Sequence, residues 1–421
     1  MGSSVDADVI IVGAGIAGLS CARQLMKENI SFLLLEAGGK IGGRLKTENV
    51  DGFRLNYGFQ VLQTAYPEAQ RMLDFDRLAL KPFAPGAMIR IGSKFYRISD
   101  PSRRFKDFFS TLIAPIGTLM DRIRILRLAR LVSRSKVSDI FSAPEMPTID
   151  FLRKQGFSEK IIQRFFKPFF AGICLDADIR ASSRVFCYIF RVFAKGDVTL
   201  PAEGMVAIAQ QLAQSLAPEK IRTSARVKSV STGEVVLDSG EKLSGRAVVI
   251  ATEGPETARL CQSPTPVGSR GELCIYFSAK TAPITEAYLV LNAEPNKMIN
   301  NLTVPSRVIP SYSPPGMELI SVVVLGNPSV DDAMVEKQVR QELMEWFGPI
   351  VEDWRHLRTQ RIMHALPDQR PPIPNPEEST EPCMPGVYIC GEYNSVPGIQ
   401  WALLSGRQAA EQVIRNLGMH H

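Results

Sequence analysis

The apolar positions change their spacing several times along the chain, and each change predicts an element. Val9 to Val12 is a short unbroken apolar run, the pattern of a strand buried on both faces, and it leads straight into Gly13, Gly15 and Gly18. A helix-length stretch separates it from a second apolar run, Ser31 to Leu35, which stops at Glu36. From Phe151 to Lys195 nine phenylalanines and one tyrosine recur, predicting helices around an apolar interior. Thr199 to Leu216 predicts a turn and a helix, Ala225 to Val230 a strand, and residues 233–254 a hairpin and a buried strand over Ala247 to Ala251. Between Glu272 and Gly348 three strand patterns, LCIYFSA, AYLVLNA and LISVVVLG, alternate with turn signals at Asn296, Pro314-Pro315-Gly316 and Asn327-Pro328, before a helix over 331–346. A proline-rich connection over 367–385 leads to a last strand, loop and helix over 386–414.

The first unit carries the clearest chemistry. Gly13, Gly15 and Gly18 have the G-x-G-x-x-G spacing between a predicted strand and a predicted helix. In that setting Gly13 allows the turn, Gly15 lets the backbone approach a pyrophosphate, and Gly18 lets the helix lie against the strand. The helix offers its unpaired N–H groups and positive end to the phosphates. Glu36, at the end of the second strand, stands where an acid hydrogen-bonds a ribose. A glycine-rich surface turn would not place strand, helix, strand and acid in this register, so an adenine dinucleotide site is expected.

Gly42-Gly43-Arg44 follows that acid, and Gly391-Glu392 precedes the last predicted helix. With these motifs the sequence resembles the superfamily of flavin-containing amine oxidases, phytoene desaturases and protoporphyrinogen oxidases, and is closest in pattern to the desaturase-like members. The resemblance implies non-covalent FAD, because no cysteine lies on the last helix or its loop. It implies an α/β fold: a doubly wound, Rossmann-like FAD-binding domain over 1–85, 197–265 and 380–421, with an inserted α+β substrate domain over 86–196 and 266–379. The cofactor-binding residues it implies are Gly13, Ala14, Gly15, Ile16, Ala17, Gly18, Glu36, Ala37, Gly42, Gly43, Arg44, Leu45, Gly58, Phe59, Gln60, Val227, Gly391, Glu392, Ile399 and Gln400. Val227 follows the P-x-x-G-M segment 201–205 and is the expected adenine contact. The helix opening at Ile399 and Gln400 would face the flavin pyrimidine edge, where its N-terminus favours developing negative charge. In the segment NYGFQVLQTAYPEAQRML, Asn56 and Gln60 replace the acid and the histidine that recur in plant-type desaturases, and Pro67 suits a first helical turn. The strand RGELCIYF lacks the lysine that amine oxidases often keep there.

Composition narrows the remaining classes. At 421 residues the chain has material for two domains or one large composite domain. Residues 103–136 hold nine Lys or Arg against Asp107 and Asp121, an excess larger than the net +6 of the whole chain. On a helical wheel Arg124, Arg127, Arg130 and Arg134 share one side and Ile125, Leu128, Ala129 and Val132 the other. Two readings stay open: a solvated amphipathic helix, or a helix that docks on an anionic membrane together with Phe105, Phe108 and Phe109. No nucleic-acid motif accompanies the charge, and no nucleic-acid partner is expected. Seven cysteines without a C-x-x-C pair argue against a disulfide framework or a zinc site, and suit a reducing compartment. His356 and His364 are too few for a metal cluster, so no metal is expected and both read as structural. His420 and His421 resemble a tag vestige. The first residues do not have the basic and apolar pattern of a secretory signal, and a cytoplasmic or plastid-stroma location is expected, peripheral to a membrane if the basic helix docks.

The expected reaction is hydride removal from a small lipophilic substrate such as a carotenoid, prenyl compound or tetrapyrrole, by oxidation, desaturation or isomerisation. Oxygen or a quinone is the expected acceptor, since no second G-x-G-x-x-G offers a nicotinamide site. No acid or base stands out as catalytic; Tyr57 and Gln60 are the polar residues expected nearest the flavin. The aromatic stretch 151–195 is either core or the wall of the substrate pocket. The rival readings are a flavin amine oxidase and a non-catalytic flavin- or lipid-binding protein.

Overall fold

The computed structural model describes residues 5–99, 114–263, 268–295, 297–378 and 381–418. Outside these ranges fall residues 103–113 of the basic stretch, with Phe105, Phe108 and Phe109, the turn at Asn296, and the terminal His420 and His421.

The first apolar run forms β1 (Ala7–Val12), flanked in parallel by β2 (Phe32–Leu35) on one side and by Lys242–Ile250 on the other. Ile221–Arg222 extends the sheet beyond β2, and Val387–Ile389 pairs in parallel with Lys242–Ile250. One sheet thus gathers strands from the beginning, middle and end of the chain. Its apolar runs are continuous because both faces are covered. Val9, Ile11 and Val249 share a core with α1 (Ile16–Lys27) and the carboxy-terminal helix Ile399–Asn416. Ile10, Val12, Val248 and Ile250 pack instead with Val227, Val235 and Leu237 of an antiparallel layer. Lys242–Ile250 is shared, its first residues pairing in that layer and its last beside β1.

A second seven-stranded sheet runs in the order Arg355–Pro367, Ser269–Ala279, Glu318–Leu325, Ile299–Thr303, Leu289–Asn292, Gly86–Ile91, Lys94–Ser99. All its pairings are antiparallel except that of Leu289–Asn292 with Gly86–Ile91. Leu273, Ile275 and Phe277 face Val335, Val339 and Leu343 of helix Asp332–Phe347. On the other face, Ile89 and Leu291 meet the aromatic helices Lys167–Cys174 and Ser183–Lys195. Phe166, Phe170 and Phe186 are fully buried there, so for these rings the core reading holds.

Helix Leu119–Arg134 begins at a capping box, in which the Asp121 carboxylate takes the Thr118 N–H at 2.7 Å and the Thr118 hydroxyl takes the Asp121 N–H at 3.2 Å. Asp121 also accepts the Ser158 N–H and hydroxyl, fastening the helix to its neighbour. Burial alone would raise this carboxyl, but these hydrogen bonds outweigh it and hold it below its ordinary range. Leu128 and Val132 face the core as the wheel predicts. The opposite face departs from the simple amphipathic reading: Leu119, Met120, Ile123, Leu126 and Leu131 are 50–65 % exposed among the arginines. Among the described residues no helix is long and apolar enough to cross a membrane.

Candidate cofactor and substrate cleft

β1 ends where α1 begins, and the turn between them is held by close backbone contacts. A side chain at Gly18 would place its Cβ 2.0 Å from the Gly13 carbonyl oxygen, so only glycine lets α1 sit this near the strand. Gly15 and Gly43 face each other across the turn: a Cβ on Gly43 would lie 3.1 Å from the Gly15 Cα. The Gly42 N–H donates to the Ala14 carbonyl at 2.8 Å, fixing the second glycine pair onto the first. The Glu36 carboxylate takes the N–H groups of Ala14 at 3.0 Å and Gly38 at 2.8 Å, which brings the end of β2 to the same turn.

The carboxy-terminal motif closes on this unit. Arg44 forms an ion pair with Glu392 at 2.5 Å and donates to the Ala365 carbonyl at 2.7 Å. Glu392 in turn takes the Gly398 N–H at 2.7 Å, at the N-terminus of helix Ile399–Asn416. Gln60 donates to the Arg44 carbonyl at 3.1 Å, while its own amide oxygen is buried without a hydrogen-bond partner. Tyr66 stands nearby, its hydroxyl pushed up to about 12 by burial and then by the Glu392 charge.

These pieces line one cavity of about 1150 Å³. Its wall includes Gly13, Gly15, Ile16, Ala17, Glu36, Ala37, Gly42, Gly43, Arg44, Leu45, Phe59, Gln60, Val227, Gly391, Glu392 and Ile399, together with Tyr57. Ala14, Gly18, Gly58 and Gln400, also expected at the cofactor, are not part of this wall. Ala14 and Gly18 make the turn itself. Gly58 gives its N–H to the Gln360 side chain at 2.9 Å, and the Gln400 oxygen takes the Glu68 N–H at 2.8 Å, capping helix Pro67–Met72. Away from the glycines the wall carries an apolar patch of Phe169, Ile173, Leu175, Ile189, Leu289 and Leu291, beside Asn301, Arg361 and Gln369. The helices of the aromatic stretch therefore put one face in the core and another on the cavity.

Sequence reasoning missed Glu272. It lies on Ser269–Ala279 opposite Ile362, is 6 % exposed, and reaches the wall beside Phe59. Its only sequence signal is an acid at the start of an apolar strand, which reads as a strand end in solvent. Burial pushes its carboxyl up to about 7, although the Phe59 N–H opposes the rise. His364, expected to be structural, also reaches the wall, with its Nδ1 2.6 Å from the Ser269 hydroxyl. Among the described residues no group of His, Cys, Asp and Glu could hold a metal.

The family model for flavin-containing amine oxidoreductases matches residues 16–414, from the start of α1 through Gly42-Gly43 and Gly391-Glu392 into the closing helix. The chain belongs to this family. Among curated relatives it is 33 % identical to putrescine oxidase of Kocuria rosea over 155 residues, covering 35 % of this chain and 31 % of that one. It is 25 % identical to the mitochondrial protoporphyrinogen oxidase of Nicotiana tabacum over 171 residues, covering 39 % and 32 %. These matches span about a third of the relatives' length. A crystal structure described as a putative protoporphyrinogen oxidase from Exiguobacterium superposes with a TM-score of 0.73 at 16 % identity, over 98 % of this chain and all of the other, and shares the fold. The cofactor of the flavin-containing amine oxidoreductases is FAD, and the residues present fit it. The Gly15–Gly43 slot admits a pyrophosphate where a Cβ would fill it, and the Gln60 oxygen offers a buried acceptor without a partner. Cys390, beside Gly391, packs in the core with its thiol pushed up to about 12 by burial, consistent with a flavin held without a covalent bond.

Proposed function

We propose that this protein is an FAD-dependent oxidoreductase that removes a hydride from a lipophilic substrate such as a carotenoid, prenyl compound or tetrapyrrole, with oxygen or a quinone as the final acceptor. The observation that carries this reading is the continuity of the glycine-lined cradle with the apolar wall of Phe169, Ile173, Ile189, Leu289 and Leu291. FAD supplies the two-electron acceptance when bound. Gly15 and Gly43 leave room for its phosphates, Glu36 receives the ribose, and the Arg44–Glu392 pair holds the two halves of the cradle together. The apolar wall binds the substrate and excludes water. In this reading residues 1–85, 197–265 and 380–421 form the cofactor domain and the remainder the substrate domain.

Glu272 favours a second reading, because a buried carboxyl on the wall is also what an ammonium substrate would seek. Anaerobic titration of the flavin-loaded protein separates them. Bleaching by a polyene, prenyl compound or tetrapyrrole supports the proposal, bleaching by amines alone moves the assignment to amine oxidation, and no bleaching by any of them leaves a binding protein.

Helix Leu119–Arg134 supports delivery of such a substrate from a membrane surface: its exposed Leu119, Met120, Ile123, Leu126 and Leu131 alternate with Arg127, Arg130 and Arg134. Sedimentation with vesicles of anionic and of neutral lipid tests this. Binding confined to anionic vesicles, and lost when Leu126 and Leu131 become serine, is expected; equal recovery with no vesicles would end the idea.

A further inference from the structure

Of the carboxyls on the cavity wall, Glu272 alone is both buried and without a cation in ion-pair reach among the described residues; the equally buried Glu392 is paired with Arg44. Its setting is built around it. A Cβ on Gly58 would lie 2.4 Å from Glu272 Oε1 and 2.7 Å from Ile362 Cδ1, so the absent side chain at 58 is the space the carboxyl occupies. Gly58 is held there by Gln360, and its φ of +85° suits glycine. One hydrogen bond reaches the carboxyl, from the Phe59 N–H to Oε1 at 3.3 Å, which is too little to solvate a permanent charge.

We infer that Glu272 is the acid–base residue of the cavity, taking the proton that the substrate gives up when it is desaturated. This rests on the reading of the site as a flavin oxidoreductase. Desaturation takes a hydride from one carbon and a proton from its neighbour. Bound FAD would supply the acceptor for the hydride and its electron pair, the electron pair of the second C–H bond would become the new π bond, and the proton would pass to the Glu272 carboxylate and later to solvent. The wall offers no other buried acid free to receive it. A carboxyl raised to about 7 is divided between its two forms near neutral pH, as a group that must both take and release a proton needs to be.

Arg270, two positions before Glu272 on the same strand, is paired with Asp368 at 3.3 Å. Tyr276 and Cys274 lie on that strand too, with hydroxyl and thiol pushed up by burial, so both stay neutral. On the neighbouring strand Arg361 turns to Asp332 and to the Pro328 and Val330 carbonyls, and His364 bonds the Ser269 hydroxyl. The opposite neighbour, Glu318–Leu325, presents Leu325 across from Glu272. On the segment after Asn56, Tyr57 is raised, first by burial and then by Glu253 and Glu48. Arg44 is engaged by Glu392.

The test is an infrared titration of the wild-type protein, read at the C=O stretch of a protonated buried carboxyl, with and without bound FAD. It is joined to the pH dependence of the bound flavin's visible spectrum in wild type, E272Q and H364Q. We expect a carboxyl band lost with a midpoint near 7, a flavin spectrum that shifts with the same midpoint, and both signals absent from E272Q but kept in H364Q. With a substrate that bleaches the flavin, E272Q should slow bleaching by about 100-fold or more, with the pH rise of the rate removed. A wild-type carboxyl that does not titrate between about pH 6 and pH 8 overturns the inference, as does an unchanged titration in E272Q or its loss in H364Q. The flavin-free infrared measurement on wild type and E272Q needs no cofactor, and the variant separates Glu272 from the buried, likewise raised Glu342. A protein that takes no FAD therefore sinks the functional reading while the carboxyl is still judged on its own.

Discussion

Replacing Gly406 with alanine tests whether the cofactor cleft depends on the close contact of two helices. Gly406 lies in Ile399–Asn416 against α1, and an added Cβ would sit 2.0 Å from the Ala17 carbonyl oxygen and 3.0 Å from the Ser20 Cβ. Ordinary contact begins near 3.4 Å, so the helices must separate by about 1.4 Å or tilt. The Ser20 hydroxyl, which donates to the Leu403 carbonyl at 2.6 Å, resists that movement. Overpacking of this kind destabilises by about 1–3 kcal/mol, and the helix propensity gained by alanine offsets at most about 1 kcal/mol. Both helices present their N-termini to the cavity, through Ile16 and Ile399, so separation should loosen the cofactor as well as the fold. Calorimetric melting of the loaded and flavin-free protein, with FAD affinity by fluorescence, is the assay. G406A should melt lower in both forms and bind FAD about tenfold more weakly, the equivalent of about 1.4 kcal/mol. A variant with wild-type melting and affinity would refute the idea that this contact sets the cleft.

Three further outcomes are expected. The Glu272 carboxyl is raised from an ordinary 4.5 to about 7 in the folded protein, so folding binds a proton more tightly there. Its contribution to stability is full below pH 4.5 and is lost as pH rises to about 7, by about 3 kcal/mol. Urea midpoints should therefore fall more from pH 5 to pH 8 in wild type than in E272Q, and parallel pH profiles would contradict this. E36Q, which exchanges the carboxylate for a neutral amide at the ribose position and can accept only one of the Ala14 and Gly38 N–H groups, should weaken FAD binding by about 10- to 100-fold, and equal affinity by titration calorimetry would remove Glu36 from the site. Cys261 and Cys383 have sulfurs 2.7 Å apart in the thiol form, so hydrogen peroxide should join them, giving one cross-linked peptide and a loss of two hydrogens by mass; two thiols still open to alkylation would rule that out.

The residues legible in the sequence are those whose role is set by their immediate neighbours. A strand, a turn that only glycine can make, and a helix opening on it are local events, so Gly13, Gly15, Gly18 and the acid at Glu36 could be read in order, while Gly42-Gly43 and Gly391-Glu392 were read from the family resemblance. The burial of Leu128 and Val132 followed from helical periodicity for the same reason. What the sequence could not supply is which distant groups meet. Arg44 and Glu392 were read as separate contacts to the cofactor, but the parallel pairing of Val387–Ile389 with Lys242–Ile250 brings the carboxy-terminal motif to the first unit and makes them an ion pair. Gln400 was expected to offer its backbone at the helix opening, and only the fold shows that its side-chain oxygen takes the Glu68 N–H at the N-terminus of Pro67–Met72. Glu272 reads as an acid at a strand end, and only the sheet register that sets it opposite Ile362 and beneath Gly58 makes it the buried acid of the cavity. Backbone conformation and periodicity depend on residues a few positions apart, whereas desolvation and ion pairing depend on which surfaces the folded chain brings together.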